Sequence, residues 1–210
     1  MRALIWDLGG TLVDTYPDVD RALASAIDPE LGAALLHEVA LLTRVSSSEA
    51  IRALAARHGV PEERLRAAYA QTAEHWREHA PPVMDGAREL LAAVRGAGAL
   101  NLVATHRERG SALALLDALG LVVDDLVCAA DGFARKPDPQ MLRTLLARHR
   151  LEGRECVAVG DRPADVEAAR AAGAAAWLLE TPEVPLPAPG ARRTLSLRRL
   201  IPLFSRSDQS

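Results

Sequence analysis

Apolar positions along the chain fall into two rhythms. Short, largely apolar runs at Ala3 to Trp6, Leu100 to Ala104, Leu126 to Ala130, Cys156 to Val159 and Ala175 to Leu179 read as buried strands. Helical spacing and helix punctuation fill the intervals. Asp85 to Arg95 puts Leu90, Leu91 and Val94 on one face and ends at Gly96 and Gly98. Glu108 to Leu119 stops at Gly120, Gln140 to His149 follows a loop, and Pro163 opens a helix that Gly173 closes. Strands alternating with helices predict an α/β fold, a doubly wound parallel sheet with right-handed crossovers.

One segment breaks the alternation. From Tyr16 to Pro82 the pattern holds helical signals and no strand. Asp18 to Leu42 has helical apolar spacing with an interruption at Asp28-Pro29. Ser46 to Glu49 has the spacing of a capping box and opens a helix ending at Gly59. Pro61-Glu62-Glu63 opens another that runs to Ala80, before Pro81-Pro82. The expected organisation is a helical insertion over 16–82, with 1–15 and 83–210 forming the α/β core. Pro182 to Arg193 predicts an extended surface crossing, Leu195 to Leu200 a last short helix, and Ser205 to Ser210 a frayed end.

Composition narrows the setting. A chain of 210 residues, 49% of them hydrophobic, makes one large domain or two small ones and needs no disulfides to hold a core. A net charge of −3 argues against nucleic acid as a partner. Cys128 and Cys156 fall in predicted strands and read as inert core thiols. The first strand begins at once, without a signal-peptide pattern, and no apolar run is long enough for a bilayer, so a cytoplasmic location is expected. The chain contains a single lysine, Lys136, beside 24 arginines. A compact ammonium on a flexible stem does different work from a planar guanidinium, which makes that position a candidate.

Candidate chemistry collects at strand ends. Asp7 ends the first run, and Gly9 and Gly10 allow a tight turn before Thr11. A carboxylate there lies where open α/β sheets bind ligands. Thr105, Lys136 and Asp161 fall at or just beyond the same carboxyl edge, and Asp165 follows four residues after Asp161. Each has a plainer reading alone: a strand-end threonine, a solvated lysine, a turn aspartate, a first-turn acid. Together they could run phosphoryl transfer, with Asp7 attacking phosphorus, Thr105 donating a hydroxyl, Lys136 supplying charge and the acids serving one hard cation.

Four stretches carry a resemblance. Asp7-Leu-Gly-Gly-Thr11, Leu102-Val-Ala-Thr105, Lys136-Pro-Asp-Pro139 and Gly160-Asp161-Arg-Pro-Ala-Asp165 with Ala171-Ala-Gly173 resemble the motifs of the haloacid dehalogenase superfamily. The likeness runs from Arg2 to Leu179, and the phosphoglycolate phosphatase branch is the nearest. It implies a Rossmann-like core with a helical cap that closes over the site, and a phosphatase of a small phosphorylated metabolite working through an aspartyl phosphate on Asp7. It implies Mg²⁺ held by Asp7, the Gly9 carbonyl and Asp161, with Asp165 direct or through water. Gly9, Gly10 and Thr11 then border the phosphate. Arg44, between cap helices, is a candidate for a substrate's anionic end.

Position 9 departs from the family pattern, in which a second Asp serves as general acid and base. That contribution is worth roughly 10²–10⁴-fold in rate. A substrate with a good leaving group, a substitute such as His106, or a catalytically weak binding protein would each accommodate Gly9. Asp14 and Tyr16, at the cap hinge, are lesser candidates. A metal-free dehalogenase has no use for Asp161 and Asp165. A phosphonoacetaldehyde hydrolase needs a cap lysine, and 16–82 contains none.

Overall fold

The computed structural model describes residues 1–182 and 184–205. The fraying expected at the end of the chain concerns 206–210, outside the described residues. The chain divides into two compact units, one of Met1–Val13 with the chain from Val83 onward, the other of Asp14–Pro82.

The first unit is a sheet of six parallel strands: β1 (Ala3–Trp6), β2 (Leu100–Thr105), β3 (Asp125–Cys128), β4 (Cys156–Gly160), β5 (Ala175–Leu179) and β6 (Arg192–Thr194). Their order is β3-β2-β1-β4-β5-β6. This is the doubly wound arrangement read from the sequence, with the order reversing between β1 and β4. The central strand is apolar throughout because both its faces are covered. Leu4 and Trp6 pack with Val103, Leu126 and Val159 against Leu90, Leu91 and Val94, whereas Ala3 and Ile5 pack with Leu102 and Ala158 against Met141, Leu142 and Leu145. One buried polar residue interrupts β2. Asn101 accepts from Trp6 Nε1 at 3.1 Å and donates to the Leu91 carbonyl at 3.1 Å, so its burial is satisfied. Both cysteines are free and buried.

In the second unit, α1 (Tyr16–Ile27), α2 (Ala33–Thr43), α3 (Ser47–His58) and α4 (Glu62–Glu78) are the helices. The interruption at Asp28-Pro29 separates α1 from α2. Ser46 caps α3 by accepting from the Glu49 N–H, and Gly59 ends it at φ 65°. Back in the first unit, α5 (Ala87–Gly96), α6 (Arg109–Ala118), α7 (Gln140–Arg148) and α8 (Pro163–Ala171) flank the sheet.

Two expectations need correction. The surface crossing contains β6, a sixth strand whose Arg192-Arg193-Thr194 has no apolar pattern; its backbone finds partners on the open edge of β5. The last helix is a 3₁₀ segment over Leu197–Leu203, later and longer than expected, with Leu197 and Leu200 buried. Among the described residues, no helix is long and apolar enough to cross a membrane.

Candidate active site

Parallel register brings the candidate residues to one sheet edge. Trp6 pairs with Val103 of β2 and Val159 of β4, so the next residue, Asp7, stands level with Ala104 and Gly160. The Asp7 N–H donates to the Val159 carbonyl at 2.9 Å, extending the ladder by one bond. A tight turn follows. The Leu8 carbonyl accepts from Leu12 and Val13, and the Gly10 N–H donates back to the Val13 carbonyl at 2.7 Å. Gly10 takes φ 88°, which a side chain resists, while Gly9 forms a β-bridge with Val13.

Lys136 is the hub. Its Nζ donates to Asp7 Oδ1 at 2.5 Å, to Asp165 Oδ1 at 2.5 Å and to the Ala104 carbonyl at 2.9 Å. All three ammonium protons are thus committed. Burial by itself would depress the lysine's pKa, but Asp165 and Asp7 outweigh it and raise the value, so Lys136 stays charged. The peptide bond from Lys136 to Pro137 is cis.

The carboxylates compete for that one cation. Asp7 is pushed up to about 7, by burial first and then by repulsion from Asp165 and Asp161, against the pull of Lys136. Asp161 is buried and accepts from the Thr11 hydroxyl at 2.9 Å. Thr105 is also buried, and its hydroxyl oxygen accepts from the Arg107 N–H at 3.2 Å, leaving its proton to donate.

Three of the candidate residues have structural partners not expected from the sequence. Asp165 accepts from Lys136 through Oδ1 and from the Arg162 N–H through Oδ2 at 3.0 Å. It holds the lysine and closes the N-terminus of α8. His106 accepts the Lys136 backbone N–H through Nε2 at 2.8 Å, so the ring is the neutral tautomer protonated on Nδ1. Burial, then Lys136 and Arg135, press its pKa down to about 3. A ring so held has no imidazolium to act as the substitute acid; it braces the loop that carries Lys136. Arg44, in the helical unit, is buried and donates from Nη1 to Asp20 Oδ2 at 2.6 Å and to Thr43 Oγ1 at 2.8 Å, with its guanidinium 3.7 Å over the Tyr16 ring. Asp14, Asp18 and Asp20 cluster in this region, and Asp14 is raised by burial first, with Asp18 and Asp20 adding to it. Arg44 thus ties α1 to α2, and its buried Nε is left without a hydrogen-bond partner among the described residues.

Sequence reasoning missed several of the supports. Asp20 lies on the buried stripe of α1 with Tyr16, Val19, Leu23 and Ala24, and an acid in that register was a legible signal of a buried partner. The Ala104 carbonyl is backbone and left no signal. Gly160 is required by contact: a Cβ there would lie 2.3 Å from Asp165 Cβ and Cγ and 2.5 Å from its Oδ2. Gly160→Ala is therefore expected to push Asp165 off Lys136, lowering stability by about 1–3 kcal/mol. Turnover is expected to fall at least tenfold. Thermal melts and steady-state rates on the variant check both; wild-type values in each would show that Asp165 has room to yield.

A doubly wound sheet with a half-buried aspartate at its switch point, held by a lysine and close to two further aspartates, defines the class: a Rossmann-like α/β core with its site at the carboxyl edge of the sheet. The model of the haloacid dehalogenase-like hydrolases matches residues 1–173, and the chain belongs to that family, within its phosphoric monoester hydrolases. It is 36% identical over 186 residues to the phosphoglycolate phosphatase of Rhodospirillum rubrum, a match covering 82% of this chain and 76% of that one. It is 30% identical over 183 residues to the N-acetylmuramic acid 6-phosphate phosphatase of Pseudomonas aeruginosa, covering 82% and 79%. The fold matches the crystal structure of a predicted phosphoglycolate phosphatase from Haemophilus somnus with a TM-score of 0.78 over 98% of both chains, at 16% identity. These relatives lend no support to a catalytically inactive binding protein.

Proposed function

We propose that this chain is a Mg²⁺-dependent phosphatase of a small phosphorylated metabolite, with Asp7 as the nucleophile that becomes phosphorylated. The observation that carries the reading is the Lys136 ammonium bonded at once to Asp7, Asp165 and Ala104 at the sheet's switch point. Asp7 attacks phosphorus and Thr105 donates its hydroxyl to a phosphoryl oxygen. Lys136 supplies fixed positive charge in a water-poor site, where charge counts for most. Thr11 orients Asp161, Asp165 orients Lys136, and His106 braces the loop that carries it.

The acid set favours a divalent cation. Asp161 and Asp165 lie close enough to Asp7 to repel it, and Lys136 bonds Asp7 and Asp165; burial and that repulsion raise the pKa of Asp7. Asp7, Asp161 and the Gly9 carbonyl are the groups that would hold Mg²⁺, an oxygen-only set suited to a hard ion. Bound there, Mg²⁺ would neutralise charge on the phosphoryl oxygens and favour the ionised form of Asp7.

Calorimetric titration of Mg²⁺ tests the metal assignment without reference to turnover. Asp161→Asn keeps an acceptor for the Thr11 hydroxyl but loses the charge, and it is expected to weaken Mg²⁺ binding tenfold or more. Equal binding in the variant and the wild type would remove Asp161 from the ligand set.

A further inference from the structure

The reaction needs a proton wherever an alkoxide leaves, and the protons on the α/β unit around Asp7 can be accounted for. All three on Lys136 Nζ are donated, to Asp7, Asp165 and the Ala104 carbonyl. The Thr11 hydroxyl donates to Asp161. Asp165 accepts through both oxygens, from Lys136 and from Arg162. His106 turns Nε2 to the Lys136 backbone N–H, and burial with Lys136 and Arg135 suppresses its protonated form. Thr105 has a hydroxyl proton, which suits hydrogen bonding to a phosphoryl oxygen but is far too weakly acidic to be transferred. Position 9, two residues beyond Asp7, has no side chain.

We infer that the substrate is a phosphoryl donor whose leaving oxygen departs as a stable anion, and that its class is the acyl phosphates. This rests on the phosphatase reading of the same site and narrows it. A carboxylic acid ionises near pH 4, so a carboxylate leaves without a proton. An alkoxide, whose parent alcohol is about as weak an acid as water (pKa about 15.7), does not. In the first step an Asp7 oxygen bonds to phosphorus, and the bond from phosphorus to the acyl oxygen breaks. Its electron pair leaves with the carboxylate. In the second step water bonds to phosphorus, the bond to Asp7 breaks, and the carboxylate of Asp7 is restored. Both protons of the water end on the released phosphate as dihydrogen phosphate, so no side chain needs to hold one.

The test is kcat/KM of the full chain with Mg²⁺ on acetyl phosphate, 4-nitrophenyl phosphate, phenyl phosphate and glycerol 3-phosphate, a series of falling leaving-group acidity. Asp7→Asn supplies the background, and mass spectrometry after acid quench reports phosphate on Asp7. Acetyl phosphate is expected to exceed glycerol 3-phosphate by at least about 10²-fold, within the 10²–10⁴-fold range of the missing acid catalysis. Gly9→Asp is expected to raise the ratio of glycerol 3-phosphate to acetyl phosphate turnover tenfold or more, whatever it does to both rates together. Should that variant not fold, the wild-type series decides alone. Rates within tenfold across the series, with Asp7 phosphorylated, would overturn the inference and leave the phosphatase intact. No turnover and no Asp7 adduct from any donor would overturn both.

Discussion

Asp7→Asn is expected to abolish turnover while making the metal-free protein more stable above neutral pH. Loss of a nucleophile costs on the order of 10⁴–10⁶-fold in rate. The stability gain follows from the environment of the carboxylate. Its pKa stands at about 7 in the fold, raised by burial and by Asp165 and Asp161, against an ordinary 3.8. Between those two pH values the folded chain keeps a proton that the unfolded chain has released, so wild-type stability falls as pH rises and levels off above 7. Asparagine does not ionise, and its carbonyl still accepts from Lys136. At about 1.36 kcal/mol per pKa unit, the variant gains on the order of a few kcal/mol at pH 8 and close to nothing at pH 4. Thermal melts across that range in chelator, with and without added Mg²⁺, give the answer. Mg²⁺ is expected to narrow the gap by stabilising the wild type. A variant less stable than wild type at pH 8 without metal would mean that Lys136 holds Asp7 ionised, and the charge argument for a cation would fall with it.

Lys136→Met has the second largest expected effect. The lysine is 7% exposed and is bonded to two carboxylates, so its removal leaves Asp7 and Asp165 facing each other without a cation. Breaking a buried ion pair from one side costs about 3–5 kcal/mol. The loss is expected to be greater at pH 8 than at pH 5, because the folded variant then binds protons more readily than the unfolded chain. Lys136→Arg separates charge from shape. It keeps the positive charge, but a planar guanidinium does not reproduce three ammonium bonds to Asp7, Asp165 and Ala104 in that space. Turnover in the arginine variant is expected to fall by about 10²–10³-fold, the loss seen when a positioned electrostatic contact is removed. Far-ultraviolet circular dichroism should show the fold retained. Wild-type turnover in Lys136→Arg would return the lysine to the role of a general counter-charge.

The helical unit offers a contrast in what buried charge does. Arg44, Asp20, Thr43 and the Tyr16 ring form a group in which hydrogen bonds from one guanidinium nitrogen and a cation–π contact offset burial, while the buried Nε has no hydrogen-bond partner among the described residues. Burial first, and then repulsion from Asp165 and Asp161, raises the pKa of Asp7, and that shift marks the group as a candidate for ligand binding.

Much of this protein was settled by local pattern. Ala3 to Trp6 is apolar at every position, as a strand covered on both faces is, and the glycine turn after it bounds the run, so the central strand and the place of Asp7 at its end were legible. The separation of helical residues 16–82 from an alternating remainder was equally local, as was the isolation of one lysine among arginines. Three-dimensional packing decided the rest. The strand Arg192–Thr194 exists because β5 has an open backbone edge, which no side-chain pattern announces. Arg44 faces inward because Asp20 lies on the buried stripe of α1. His106 became an acceptor, not an acid, because the loop carrying Lys136 brings a backbone N–H within 2.8 Å of its Nε2. Asp165 became the holder of Lys136 because Gly160 has no Cβ to keep it away. Residue type and spacing announce which groups are available. The direction of a hydrogen bond and the sign of a pKa shift depend on neighbours tens to over a hundred residues distant in the chain, and those only the folded structure supplies.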